Sequence, residues 1–281
     1  MPVDPVSHLY FESYGPEDAR SIVFLHGGGV GGWMWRAVVK NLQTDFHCLV
    51  PDLPEQGRNI QAGDGPYSTD GAADRIAAFI RSQGHAGRAS VVGLSEGAQV
   101  VVALLSRSPD LIDHAVSSSA ILRGLWMNRL VTPGVIRWTH RLFMAPLKNQ
   151  DWWIRMNMHG SAGIPDEYYG DFKRDFQEIT EESLTHLMAA SLNYRLPAGL
   201  EKANVPVLVV VGSKEYRAMK LSALDLLKVL PKARGVMVNL GEGSTLAKEH
   251  NWAVTAPELF SATVGAWIED RPLPDVLLRL A

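Results

Sequence analysis

The sequence predicts an α/β fold: a mostly parallel sheet flanked by helices and interrupted by a helical insertion. Two observations carry this reading. Short apolar runs that read as buried strands alternate with helical stretches through most of the chain, which argues for a parallel sheet covered on both faces. From about Leu122 to Leu200 the alternation stops and no buried-strand run occurs. The expected division is therefore a first core part over 1–121, a helical cap over 122–200 and a second core part over 201–281.

Ser7 to Glu12 alternates weakly and reads as an edge strand. Ile22-Val23-Phe24-Leu25 is a buried strand that runs into His26-Gly27-Gly28-Gly29-Val30-Gly31-Gly32. So many glycines cannot continue a strand or start a stable helix. They make a loop whose backbone can approach another group closely. No G-K-[ST] follows the loop and a G-x-G-x-x-G spacing can only be forced onto it, so nucleotide binding is disfavoured. Trp33 to Leu42 reads as helix and His47-Cys48-Leu49-Val50 as strand. Pro51-Asp52-Leu53-Pro54-Glu55-Gln56-Gly57 is a loop by its prolines and glycine. A helix over Asp70 to Gln83 presents Ala73, Ile76, Ala77 and Ile80 on one face, and Gly84 ends it.

The next stretch organises the rest. Ala89 to Val92 is a short apolar strand that meets Gly93-Leu94-Ser95-Glu96-Gly97 and then a helical sequence with no breaker until Pro109. A strand that turns sharply into a helix at a serine, in the pattern G-x-S-x-G, is a nucleophile elbow. Side chains at 93 and 97 would clash with the neighbouring strand and helix, and the turn lifts the Ser95 hydroxyl clear at a helix N-terminus. His114-Ala115-Val116-Ser117 is a further strand.

The insertion holds four of the eight tryptophans and five of the nine methionines, and Pro133, Pro146, Pro165 and Pro197 are expected to break its helices. Trp126, Met127, Trp152 and Trp153 are candidates for lining an apolar pocket over Ser95, because such side chains give large, adaptable contact. They could equally pack the insertion's helices to each other. Its charges are segregated: six bases against one acid from Arg123 to Arg155, then seven acids against three bases from Asp166 to Arg195. Two solvated faces that attract each other explain this; a site for an anionic substrate is the alternative.

Beyond the insertion, Val205-Pro206-Val207-Leu208-Val209-Val210-Val211 is a strand ending at Gly212-Ser213-Lys214-Glu215. A helix over about Ala218 to Leu230, a strand over Gly235 to Leu240, a polar loop to His250 and a closing helix over about Ala256 to Ile268 complete the chain.

Composition narrows the function. The 281 residues carry a formal net charge of −3 and no basic run, which gives no electrostatic case for nucleic acid. The single cysteine, Cys48, reads as a small buried hydrophobe, so neither disulfides nor a cysteine-rich metal site is available. No apolar run approaches membrane-spanning length and the N-terminus lacks signal-peptide character, so a cytoplasmic protein is expected.

Three polar groups fall after predicted strands in the order Ser95, Glu215, His250. In a parallel sheet the C-terminal strand ends share one edge, where open α/β sheets place their sites. A serine nucleophile needs a base, and the base needs a carboxylate to fix its tautomer and stabilise its cation. Glu242, closer to His250 in sequence, is a rival acid, although its place between two glycines suits a turn better. Glu96 is expected to face outward, and His26 to be a structural hydrogen-bonding residue.

On the glycine loop from Leu25, Pro51-Asp52-Leu53-Pro54 with Gly57, the elbow, the run Val205–Glu215 and His250-Asn251-Trp252, the chain resembles a capped α/β-hydrolase from roughly Ile22 to Trp267. The resemblance implies an esterase-like serine hydrolase with no cofactor or metal. It implies an oxyanion hole formed by the backbone N–H of Glu96 and one from the glycine loop, Gly28 first and Gly29 second. The chain departs from the family's usual pattern in carrying glutamate at 215. The expected chemistry is acyl transfer to water from a small-molecule substrate, an apolar or aromatic acyl compound. C–C bond hydrolysis or cleavage, acyl transfer to another acceptor, or ligand binding without turnover remain open. Oligomeric state is not readable.

Overall fold

The computed structural model describes residues 9–60, 65–124 and 131–280. Eight strands form one sheet: β1 (Phe11–Tyr14), β2 (Ser21–Leu25), β3 (His47–Pro51), β4 (Ala89–Leu94), β5 (Ile112–Ser118), β6 (Val207–Gly212), β7 (Ala233–Val238) and β8 (Leu278–Arg279). Their order is β1-β3-β2-β4-β5-β6-β7-β8. The two outer strands are antiparallel to their neighbours and the six between them run parallel. The short edge strand β8 has no counterpart in the sequence reading, because two exposed residues give no periodic signal.

The helices of the core are α1 (Arg36–Leu42), α2 (Thr69–Gln83) and α3 (Glu96–Arg107) before residue 122. Those of the intervening segment are α4 (Pro133–Thr139), α5 (Ala145–Leu147), α6 (Asp151–Met156), α7 (Tyr169–Glu178) and α8 (Glu181–Asn193). After it come α9 (Arg217–Val229), α10 (Leu246–His250), α11 (Trp252–Thr255) and α12 (Pro257–Ile268). Among the described residues, all strands lie outside 122–200.

The apolar strand runs are explained by burial on both faces. In β6, Val207, Val209 and Val211 pack into one cluster with α2, α3 and α9, while Leu208 and Val210 join another with α1 and α12. Successive side chains point to opposite faces, so a strand covered on both sides must be apolar at every position. The strand begins at Val207 rather than Val205, next to Pro206, which has no N–H to donate. Cys48 is fully buried in the second cluster.

The segment 131–200 is docked on this core rather than isolated from it. Ile154, Met158, Ile164, Phe172 and Phe176 extend the α1/α12 cluster. Trp33 donates through Nε1 to Asp175 Oδ2 at 2.6 Å, and Arg36 bonds Asp171 at 2.8 Å. The segregated charges largely meet one another within the segment. Arg137 and Arg141 face Glu181, Arg155 bonds Asp166, and Lys173 bonds Asp151. Pro146 does not break its helix as expected. The chain stays helical from α4 through α5, with a widened turn over His140–Met144 before the proline.

Candidate active site

Ser95 stands at the turn between β4 and α3 with φ 57° and ψ −109°, a backbone conformation that non-glycine residues rarely adopt. The glycines around it make the turn possible. A Cβ at Gly93 would lie 2.3 Å from the Gly97 carbonyl oxygen, and one at Gly97 would lie 2.1 Å from that of Leu25. The strained serine is held by its own N–H, which donates to Ser118 O at 2.8 Å.

His250 ends α10, and its Nδ1 lies 2.9 Å from Glu215 Oε1. Glu215 follows β6 in a tight turn, its N–H donating to Gly212 O, and its side chain is wholly buried. The same Oε1 accepts from Ser119 Oγ at 2.5 Å. Ser119 lies just past β5 in left-handed backbone, φ 65°, and its N–H donates to Val210 O. Sequence analysis assigned no role to Ser119, which serves the carboxylate arriving from β6. Glu242 lies elsewhere. It is exposed, between Gly241 and Gly243 with φ 85° and 82°, and the carboxylate bonded to His250 is that of Glu215.

Glu249, which the sequence did not single out, fastens the histidine loop to the glutamate turn. Its buried carboxylate accepts from Ser213 Oγ (2.9 Å), Lys214 N (2.8 Å) and Ser244 Oγ (2.7 Å). Burial would raise its pKa, but these bonds and one from the Leu240 backbone outweigh it and hold the carboxyl below its ordinary value. An acid beside the histidine was the available signal. On the other side, Asn251 Nδ2 donates to Ala162 O at 2.6 Å and ties the loop to the helical segment.

Ser95 and His250 open into one cavity of about 290 Å³, roofed by the helical segment. Its walls are mostly apolar, with Phe172, Phe176, Ile164, Met34 and Val254 among them, and Asn157 and Ser161 supply polar groups. The Phe172 and Phe176 rings stack at 5.8 Å. A larger hollow of about 780 Å³ lies between α9 and β8, but no serine or histidine lines it.

The pocket residues expected from sequence need correction. Trp152 is 59% exposed and Trp153 is half-buried against the core, and neither lines the cavity. In α6 the inward position is Ile154, and Trp152, two residues away, falls on the opposite side of the helix. Trp126 and Met127 lie outside the described residues.

The glycine loop also differs from expectation. Glu96 is buried, not outward-facing, with its carboxyl beneath the loop. Gly29 N–H donates to Gln56 Oε1 at 2.8 Å, so it is already engaged. His26 is structural: its Nδ1 lies 2.8 Å from Gly27 O and its Nε2 accepts from Leu53 N–H at 2.8 Å. Asp52 knits the loops together, accepting from Gly32 N–H (2.6 Å) and Arg58 N–H (2.8 Å).

A parallel sheet whose β4 ends in a strained serine, with a histidine–carboxylate pair delivered to the same edge, defines a class of hydrolases. The sequence model of the alpha/beta hydrolase fold matches residues 20–237, and the chain belongs to that family as a hydrolase. It is 24% identical over 95% of its length to an AB hydrolase superfamily protein of Gibberella zeae, covering 86% of that protein. It is 28% identical to a pimeloyl-[acyl-carrier protein] methyl ester esterase of Aeromonas hydrophila, over 77% of this chain and 85% of that one. Among solved structures, the enol-lactonase of Burkholderia xenovorans superposes with a TM-score of 0.71 at 20% identity, over 93% of this chain and 96% of that one. Among the described residues no helix is long and apolar enough to cross a membrane.

Proposed function

We propose that the protein is a serine hydrolase of carboxylic esters that works through an acyl-enzyme. The observation that carries the reading is the Glu215–His250 hydrogen bond facing the cavity that Ser95 enters. Ser95 Oγ attacks the ester carbonyl while His250 Nε2 takes its proton. Glu215, accepting from Nδ1–H, fixes the tautomer that leaves Nε2 free and stabilises the imidazolium that forms. The oxyanion is received by the N–H groups of Glu96, at the start of α3, and Gly28; Gly29 drops out because its N–H serves Gln56. His250 then protonates the leaving alcohol, and a water deprotonated by His250 releases the acid.

The helical segment acts as the cap. The Phe172 and Phe176 wall and the modest cavity suit an apolar or aromatic acyl group of limited length. The esterase names among the relatives support ester chemistry. Purified protein is expected to hydrolyse p-nitrophenyl esters, with Ser95→Ala lowering kcat by at least about 10⁴ while the fold persists. Retention of most ester turnover in Ser95→Ala would overturn the reading.

A further inference from the structure

Glu96 is a buried carboxyl that the triad chemistry leaves without a role, and its surroundings give it one. Its Oε1 accepts from Gln56 Nε2 at 3.1 Å, and Gln56 Oε1 accepts from Gly29 N–H at 2.8 Å. Its Oε2 fills the space that a side chain at Gly28 would need, 2.6 Å from where a Cβ would be. Both Glu96 and Gln56 are about 3% exposed, so water does not supply these contacts. The carboxyl therefore supports the Gly28–Gly29 segment from below and, through one amide, anchors it from the side. We infer that Glu96, given the ester hydrolase reading above, is a positioning residue that assembles the oxyanion hole. Its backbone N–H forms one half, and its side chain with Gln56 sets the place of Gly28, the other half.

Burial favours the neutral form of this carboxyl. It raises the pKa to about 7, against the pull of the Gln56 amide that bonds it and of the neighbouring Tyr67 hydroxyl. Of titratable groups, Tyr67 faces it from the segment before α2, and Tyr194 faces Tyr67 from beyond α8. Burial holds both phenols well above their ordinary range, so they stay neutral, and the glycine loop brings no charge. Ionisation of Glu96 places a negative charge against Gly28, next to the site where the oxyanion develops. Charge there opposes the transition state. Activity is therefore expected to fall with rising pH as Glu96 ionises.

The test compares the parent with Glu96→Gln, Glu96→Ala and Gln56→Leu, following kcat/KM against pH, because that ratio reports groups of the free enzyme. The parent is expected to decline by about tenfold between about pH 7 and pH 9, and Glu96→Gln to be about threefold weaker at low pH but flat over that interval. Glu96→Ala and Gln56→Leu are expected to lose about tenfold in kcat with KM within about threefold, as loss of oxyanion support requires. An alkaline decline in Glu96→Gln equal to the parent's overturns the inference whether or not the other two variants fold. So does full kcat in folded Glu96→Ala and Gln56→Leu. Ser95 labelling by a phosphonate, run on the parent in parallel, separates the failures. Labelled parent with these results condemns the Glu96 role alone, and unlabelled parent removes the ester hydrolase reading and this inference with it.

Discussion

The sheet edge that carries Ser95, Glu215 and His250 and the helical segment above it are built on opposite terms. At the edge the carboxylates are held by hydrogen bonds: Glu215 through Oε1 to Ser119 and His250, Glu249 to three donors, Asp52 to two loop N–H groups. In the helical segment the inward face is apolar, but its outer face is also rich in large apolar side chains. Six of the nine exposed large hydrophobics of the described residues, including Trp138, Phe143 and Trp152, lie from Val135 to Met156. The difference teaches that aromatic content locates a substrate pocket poorly where helices have a free side. Bonded polar groups at strand ends locate the chemistry well.

The comparison can be broken first at the edge. Glu215→Gln keeps shape but removes the charge that stabilises the His250 cation, and is expected to cost about 10³–10⁴ in kcat. Glu242→Gln, on its exposed turn, is expected to change kcat less than about twofold. Steady-state kinetics on one ester decide this, and the reverse pattern would transfer the acid to the loop before His250.

In the helical segment the expected effects are smaller and fall on specificity. Phe176→Ala removes one face of the cavity wall and is expected to raise KM for aryl or medium-chain esters by about tenfold, for the loss of a buried apolar contact of about 1–2 kcal/mol. Trp152→Ala, outside the cavity, is expected to leave KM within about twofold. A KM series over acyl length measures both, and a larger effect at Trp152 would show that the outer face meets substrate after all.

What was legible in the sequence follows the same division. The strand runs, the elbow and the strand-end positions of Glu215 and His250 could be read because each rests on a local rule: burial on two faces, glycine where a Cβ has no room, a turn after an apolar run. Edge strand β8 and the passage of the helix through Pro146 could not, since the first is too short for a period and the second depends on a widened turn. Glu96 was misplaced because a charged residue is ordinarily exposed. Only the space above it, left by Gly28 and reached by Gln56 from a distant loop, admits its side chain. Trp152 and Trp153 were misplaced because composition does not say which side of a short helix faces the core.

The central claim, that Ser95 is the nucleophile at this edge, is tested most directly by intact-protein and peptide mass spectrometry after reaction with a fluorophosphonate. The account predicts a single adduct per chain, mapped to Ser95, absent in Ser95→Ala and strongly slowed in His250→Ala. An unlabelled Ser95 in folded protein that still hydrolyses esters, or an adduct on another residue that persists in Ser95→Ala, would contradict it.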